Sequence, residues 1–124
     1  MILVDTSIWI DYLRKGDEIL VSLLNSPQVL THPFVIGELA CGNLKNRVTF
    51  LSLIKRLPTT PLVRDEEVLY FIDRNHLMGR GVGFIDVHLL ASLALSNHGF
   101  LWTRDKRLAI LAEELGMAFH ESVE

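Results

Sequence analysis

Apolar and polar positions fall in blocks along this chain, and the blocks predict strands and helices in turn. Ile2, Leu3 and Val4 form an uninterrupted apolar run that ends at Asp5, the pattern of a strand buried on both faces inside a parallel sheet. A short helix is predicted over Ser7 to Arg14, before a break at Lys15-Gly16. Its residues Ile8, Trp9, Ile10, Tyr12 and Leu13 leave almost no polar face, so burial on more than one side is expected. Asp17 and Glu18 favour the start of a second helix, with Ile19, Leu20, Leu23 and Leu24 as its apolar face and Asn25-Ser26-Pro27 as its stop. Gln28 to Thr31 reads as a second strand, and His32-Pro33 opens a helix that runs to about Gly42.

After a turn over Asn43 to Asn46, the pattern predicts a helix from Val48 to Leu57 and a short strand around Pro61 to Val63. A helix opened by Asp65, Glu66 and Glu67 is expected to end near Met78-Gly79, and Gly79, Gly81 and Gly83 then make a loop. Phe84 to Ser96 reads as a nearly all-apolar helix closed by Asn97-His98-Gly99. Phe100 to Thr103 follows as a buried strand, Asp105 to Leu115 as the last helix, and Met117 to His120 as a weak edge strand. Strands alternating with helices imply an α/β fold, a three-layer α/β/α sandwich around a central parallel sheet. The 124 residues suit one domain spanning 1–124, and no linker or internal repeat interrupts them.

Composition narrows the class. A hydrophobic content of 49% excludes a disordered chain. Ile19 to Gly37 carries only Asn, Ser, Gln, Thr and His as polar residues beside two prolines, which excludes a membrane span. Without a basic lead-in, and with Asp5 inside the first apolar run, no signal peptide is expected. The single cysteine, Cys41, has no partner for an internal disulfide and is expected as a buried thiol in a reducing cytoplasm. The formal charge of −3 argues against a general polyanion-binding module, but it allows acids gathered in a metal site with Lys and Arg elsewhere.

Four carboxylates occupy positions that this fold would bring to one sheet edge. Asp5 ends the first strand, Glu38 lies in the helix after the second, Asp86 sits in the first turn of a helix, and Asp105 follows the third strand. Strand ends and the first turns after them share the carboxyl edge, where open α/β sheets bind ligands. Each acid also has an ordinary structural role open to it: capping for Asp5, dipole complementation for Asp86 and Asp105, a surface ion pair for Glu38. Glu38 and Asp86 interrupt apolar segments, however, where an unpaired carboxylate is costly. Several acids at one point are tolerated mainly around a cation, and oxygen ligands without histidine select Mg²⁺ or Mn²⁺ over zinc. The five histidines show no ligand spacing, Ser7 and Cys41 lack a base signature, and Gly79-Arg80-Gly81-Val82-Gly83 lacks the lysine and hydroxyl of a phosphate loop.

Val4-Asp5-Thr6-Ser7, Gly37-Glu38-Leu39, Gly83-Phe84-Ile85-Asp86-Val87-His88-Leu89-Leu90-Ala91 and Thr103-Arg104-Asp105-Lys106-Arg107, in this order, resemble a PIN-domain ribonuclease. More narrowly they resemble a VapC-type toxin of a toxin–antitoxin pair, over essentially the whole chain. The resemblance implies a Mg²⁺- or Mn²⁺-dependent RNA endonuclease with Asp5, Glu38, Asp86 and Asp105 as metal-binding acids and Thr6, Ser7 and Thr103 in support. It implies RNA as substrate, a cognate antitoxin as inhibitor, homodimers, and no membrane. Asp105 occupies the position where such domains vary most. Lys45, Arg80, Arg104, Lys106 and Arg107 are candidates for phosphate contacts, or for a solvated surface. Two other function classes compete. An aspartyl-phosphate phosphatase would need a second Asp where Ser7 stands, and a receiver-like domain would need one within Val29 to His32. In a non-catalytic protein-binding module of the same fold, the acids would meet a basic peptide instead.

Overall fold

The computed structural model describes residues 1–96 and 99–121, so the predicted closure at Asn97-His98 and the last three residues lie outside them. At its centre is β1 (Ile2–Val4), flanked by β2 (Val29–Leu30) and β3 (Phe100–Trp102) in the order β2-β1-β3, all parallel. Ile2 and Leu3 register with Val29 and Leu30 on one side, and Ile2 to Val4 with Phe100 to Trp102 on the other. All three β1 side chains are buried, as an uninterrupted apolar run requires when helices cover both faces.

Seven helices flank this sheet among the described residues: α1 (Thr6–Lys15), α2 (Glu18–Asn25), α3 (Pro33–Ala40), α4 (Arg47–Ile54), α5 (Asp65–Asn75), α6 (Phe84–Ser96) and α7 (Lys106–Glu114). Their starts follow the expected chemistry. The Asp17 side chain accepts from the Leu20 amide at 3.0 Å, and Asp105 accepts from the Leu108 amide at 2.9 Å. Pro33 occupies the first turn of α3, where its missing N–H leaves nothing unpaired.

Four expectations need correction. Pro61 to Val63 is not a strand, and the parallel pairing on that edge is a single bridge between Thr31 and Thr59. Met117 to His120 likewise reduces to a bridge between Leu101 and Ala118. α5 ends at Asn75, earlier than expected, because His76 takes a left-handed conformation at φ 54° and caps it. Cys41 is exposed, since it stands at the end of α3 where the helix has turned away from the core.

α1 is also less uniformly apolar than its composition suggests. Ile8 and Trp9 are buried, Tyr12 is half-buried, Ile10 and Leu13 face outward, and Asp11 pairs with Arg14 at 2.9 Å. No helix among the described residues is long and apolar enough to cross a membrane.

One core histidine has a definite state. His32, 2% exposed, accepts the Phe34 amide on Nδ1 at 3.0 Å, so the proton of its neutral ring lies on Nε2, 3.2 Å from Ser92 Oγ. Burial, and then the nearby His88, push its pKa down to about 4. A group whose folded pKa lies below its unfolded value of 6.5 contributes stability that is full above 6.5 and lost as pH falls toward 4. The native chain should therefore lose on the order of 2–3 kcal/mol through His32 over that interval. A His32→Asn variant, which retains a capping side chain, should be less stable at pH 7.5 yet lose less on acidification. Denaturant titrations of the two proteins at pH 7.5 and pH 4.5 check the difference in slope.

Candidate metal centre

Asp5 directly follows β1, and its amide extends the sheet by donating to the Trp102 carbonyl at 3.0 Å. It occupies the position before α1, yet its side chain makes no capping bond. The carboxylate is instead 6% exposed and held by two hydroxyls: Thr103 Oγ1 donates to Oδ2 at 2.7 Å and Ser7 Oγ donates to the same oxygen at 3.1 Å. Oδ1 meets no donor among the described residues. The capping role open to Asp5 on sequence is therefore not the one it performs.

The other three acids arrive from different elements. Glu38 stands on α3, exposed, and Thr6 Oγ1 donates to its Oε1 at 2.7 Å, leaving Oε2 without a donor. Its exposure removes the burial penalty expected from its apolar neighbours. Asp105 uses Oδ1 to cap α7, and its amide donates to Thr103 Oγ1 at 3.1 Å. Asp86, in the first turn of α6, has no hydrogen-bond donor at all among the described residues. Its pKa is pushed up to about 6, first by partial burial and then by the charges of Asp5, Glu38 and Asp105. The other three carboxylates thus all act on Asp86, and each of the four keeps at least one oxygen that no donor among the described residues satisfies.

Among the described residues no three His, Cys, Asp or Glu side chains stand close enough together to hold a metal ion between them. An open cluster is nonetheless a suitable donor set for a Mg²⁺-like ion, which keeps several waters and binds through one or two carboxylates. Zinc would want histidine or thiolate, and no such group joins the cluster.

The surrounding basic residues sort differently from the sequence expectation. Arg104 is fully occupied: it donates to Asp11 at 2.8 Å and Asp17 at 2.7 Å, pairs with Glu121, and lies over the Trp102 ring at 5.5 Å. Burial works against its charge, but the three carboxylates outweigh it and hold the guanidinium above its ordinary range. Arg80 is likewise engaged, in a bidentate pair with Glu114 at 2.9 and 2.6 Å. A Cβ on Gly81, at φ 77°, would lie 2.5 Å from Arg107 Nη1. The glycine loop therefore docks on α7, which sets the start of α6 and Asp86 beside Asp105. Lys45, Lys106 and Arg107 remain without a carboxylate partner among the described residues.

His88 points away from Asp86, as its spacing requires, and its ring stacks edge-on against Phe34 and Phe84, both at 4.8 Å between centroids. Its Nε2 is 3.2 Å from Asp65 Oδ1. Sequence patterning treats His32 and His88 as ordinary core or surface histidines and does not single out Ser92. The only signal pointing further was a histidine placed before the first proline of α3, where a short polar cap is usual.

Comparison with known proteins shows the family. The PIN-domain family profile matches residues 2–114. The chain is 48% identical over 123 residues to "Ribonuclease VapC32" of Mycobacterium tuberculosis, in the CDC 1551 / Oshkosh and the ATCC 25618 / H37Rv strains, covering 99% of each chain. Among solved structures, that of FitAB bound to an IR36 DNA fragment superposes with a TM-score of 0.61 over 91% of both chains at 17% identity, a likeness of fold. A three-layer parallel α/β fold, four acids at one sheet edge and near full-length similarity converge: the chain belongs to the PIN-domain family, among its VapC-type ribonucleases.

Proposed function

We propose that this protein is the toxin of a toxin–antitoxin pair, a Mg²⁺- or Mn²⁺-dependent endoribonuclease of the cytoplasm. The observation that carries the proposal is that Asp5, Glu38, Asp86 and Asp105 lie within electrostatic reach of one another, each with an oxygen left unsatisfied. These four residues would hold the cation. When bound, such an ion lowers the pKa of a coordinated water and neutralises charge on the scissile phosphate. Thr103 and Ser7 orient Asp5 by occupying one of its oxygens, and Thr6 does the same for Glu38. Lys45, Lys106 and Arg107 are the side chains suited to meet backbone phosphates.

The reading extends to partners. Trp9, Tyr12, Leu24, Phe50, Leu53, Ile54 and Leu57 line an apolar groove of about 280 Å³ between α1, α2 and α4. The Trp9 indole Nε1–H is buried in that wall without an acceptor among the described residues. An amphipathic helix of the cognate antitoxin is the proposed occupant, with its apolar face in the groove and an acceptor for the indole. The outward Ile10 and Leu13 of α1 support a like subunit beside it, in a homodimer. Light scattering of the chain alone and with the product of the adjacent gene should show a dimer and then a larger complex. A strict monomer that the second protein leaves unchanged would remove this part of the proposal.

For catalysis, Asp5→Asn, Glu38→Gln and Asp86→Asn should each lower RNA cleavage in Mg²⁺ or Mn²⁺ by at least about 10²-fold while circular dichroism stays native. Asp105→Asn should lose less, because one of its oxygens already serves α7. Incubation with mixed RNAs, with and without chelator, reads the outcome, and native cleavage by Asp5→Asn would sink the assignment.

Stability separates a carboxylate cluster from isolated caps without any RNA. Asp86 has a folded pKa of about 6 against an ordinary 3.8. Its contribution is therefore fully present below 3.8 and lost as pH rises through 6. In chelator at pH 7.5, Asp86→Asn should be more stable than the native chain by about 1 kcal/mol after allowance for solvent screening. Added Mn²⁺ should stabilise the native chain more than the variant. Melting curves in chelator and in Mn²⁺ decide it, and a variant that melts lower in both would return Asp86 to a dipole-complementing role.

A further inference from the structure

Helices α3 and α6 carry two of the four acids, and two side-chain contacts join them. His32, at the start of α3, meets Ser92 of α6 with Nε2 and Oγ at 3.2 Å, inside the core. Two residues further along α3, the Phe34 ring packs edge-on against His88, which lies one helical turn before Ser92. Glu38 then lies six residues beyond His32, and Asp86 six residues before Ser92. The charge of Glu38 is felt at Asp86, where it adds to the effects of burial and of Asp5.

We propose that the His32–Ser92 hydrogen bond is a latch that fixes α3 against α6 and so sets the position of Glu38 relative to Asp86 in the proposed metal site. His32 is the hinge of this device because it uses both ring nitrogens. Nδ1 caps its own helix through the Phe34 amide, and Nε2–H reaches the neighbouring one. Ser, Thr, Asn or Asp would cap α3 equally well, but none is long enough to do both. The Phe34–His88–Phe84 stack is the second contact, steadied by Asp65 beside His88. These two contacts are attractive while the charges of Glu38 and Asp86 repel, so the latch acts against that repulsion. His32 and Ser92 touch neither cation nor substrate; they are positioning residues for the metal site proposed above, on which the inference rests.

Two variants release the latch in different ways. Ser92→Ala removes the acceptor and leaves the α3 cap intact, while His32→Asn keeps a cap and loses the reach. Mn²⁺ binding is followed by the paramagnetic resonance signal of the free ion, without substrate. Both variants should bind about three- to tenfold more weakly, at the lower end of the loss found when a ligand's supporting contacts are removed. The double variant should be no weaker than the worse single one within about twofold, because one contact is lost in each case. A second measurement is independent of metal. Spin labels on the native Cys41, exposed at the end of α3, and on Ile85→Cys, exposed at the start of α6, report their separation in chelator. Release of the latch should broaden that distribution toward longer distances. Native Mn²⁺ affinity together with a native label distribution in both variants, even at lowered melting temperature, would overturn the latch. If the native chain itself ignores Mn²⁺, the metal reading fails, and the label distances alone decide the latch by the same criterion. Should His32→Asn not fold, Ser92→Ala carries both measurements.

Discussion

The mutual repulsion of carboxylates at one edge of a small parallel sheet is the constraint around which this molecule is built. Asp5 is nearly buried, and Asp86 is half-buried with its pKa lifted first by that burial and then by the other three acids. A fold seeking only stability would disperse such charges or neutralise each with a cationic side chain. This one holds Asp5 with the neutral hydroxyls of Thr103 and Ser7, and Glu38 with that of Thr6. Neutral donors position a carboxylate without cancelling its charge, which leaves the negative potential available to a cation.

Cations are present in the chain but are kept elsewhere. Arg104 follows Thr103 and precedes Asp105, so its backbone runs through the acid cluster, and its amide donates to Ser7 Oγ at 3.2 Å. Its guanidinium nevertheless turns to Asp11, Asp17 and Glu121. The Trp102 indole donates to Glu121 as well, at 2.8 Å. This network ties α1, the start of α2 and the segment after α7 around one strand end, and it removes an arginine that would otherwise quench the site. Arg80 is removed in the same way by Glu114. The net charge of −3 is therefore unevenly spread: acids gather at one sheet edge, while Lys45, Lys106 and Arg107 have no carboxylate partner among the described residues.

The sheet supplies rigidity out of proportion to its size. Three strands of two or three residues would not persist alone, yet β1 is covered on both faces and paired on both edges. Burial of Leu3, Val4, Leu101 and Trp102 contributes roughly 1.5–3 kcal/mol for each side chain. Asp5 and Thr103 sit one residue past this core, so the most constrained backbone in the protein ends where the site begins.

What the sequence determined by itself is what depends on local period and local chemistry. The buried Ile2–Val4 run, the helix over Phe84–Ser96, Pro33 opening α3, and the four acids in family order were all legible, because each is written in adjacent residues. The tertiary structure decided the rest. On sequence Arg104 is a candidate for a phosphate contact or for a solvated surface, and its packing against Asp11, Asp17 and Glu121 shows it engaged in neither. Cys41 was expected inside and lies outside, because its composition resembles the core while its position is a helix end. The strands expected at Pro61–Val63 and Met117–His120 shrink to single bridges, since edge pairing depends on a neighbour's register and not on propensity. The contact between His32 and Ser92 spans sixty residues of sequence. Hydrogen bonds between distant residues leave no periodic trace in a chain, and here that contact links the helices carrying Glu38 and Asp86.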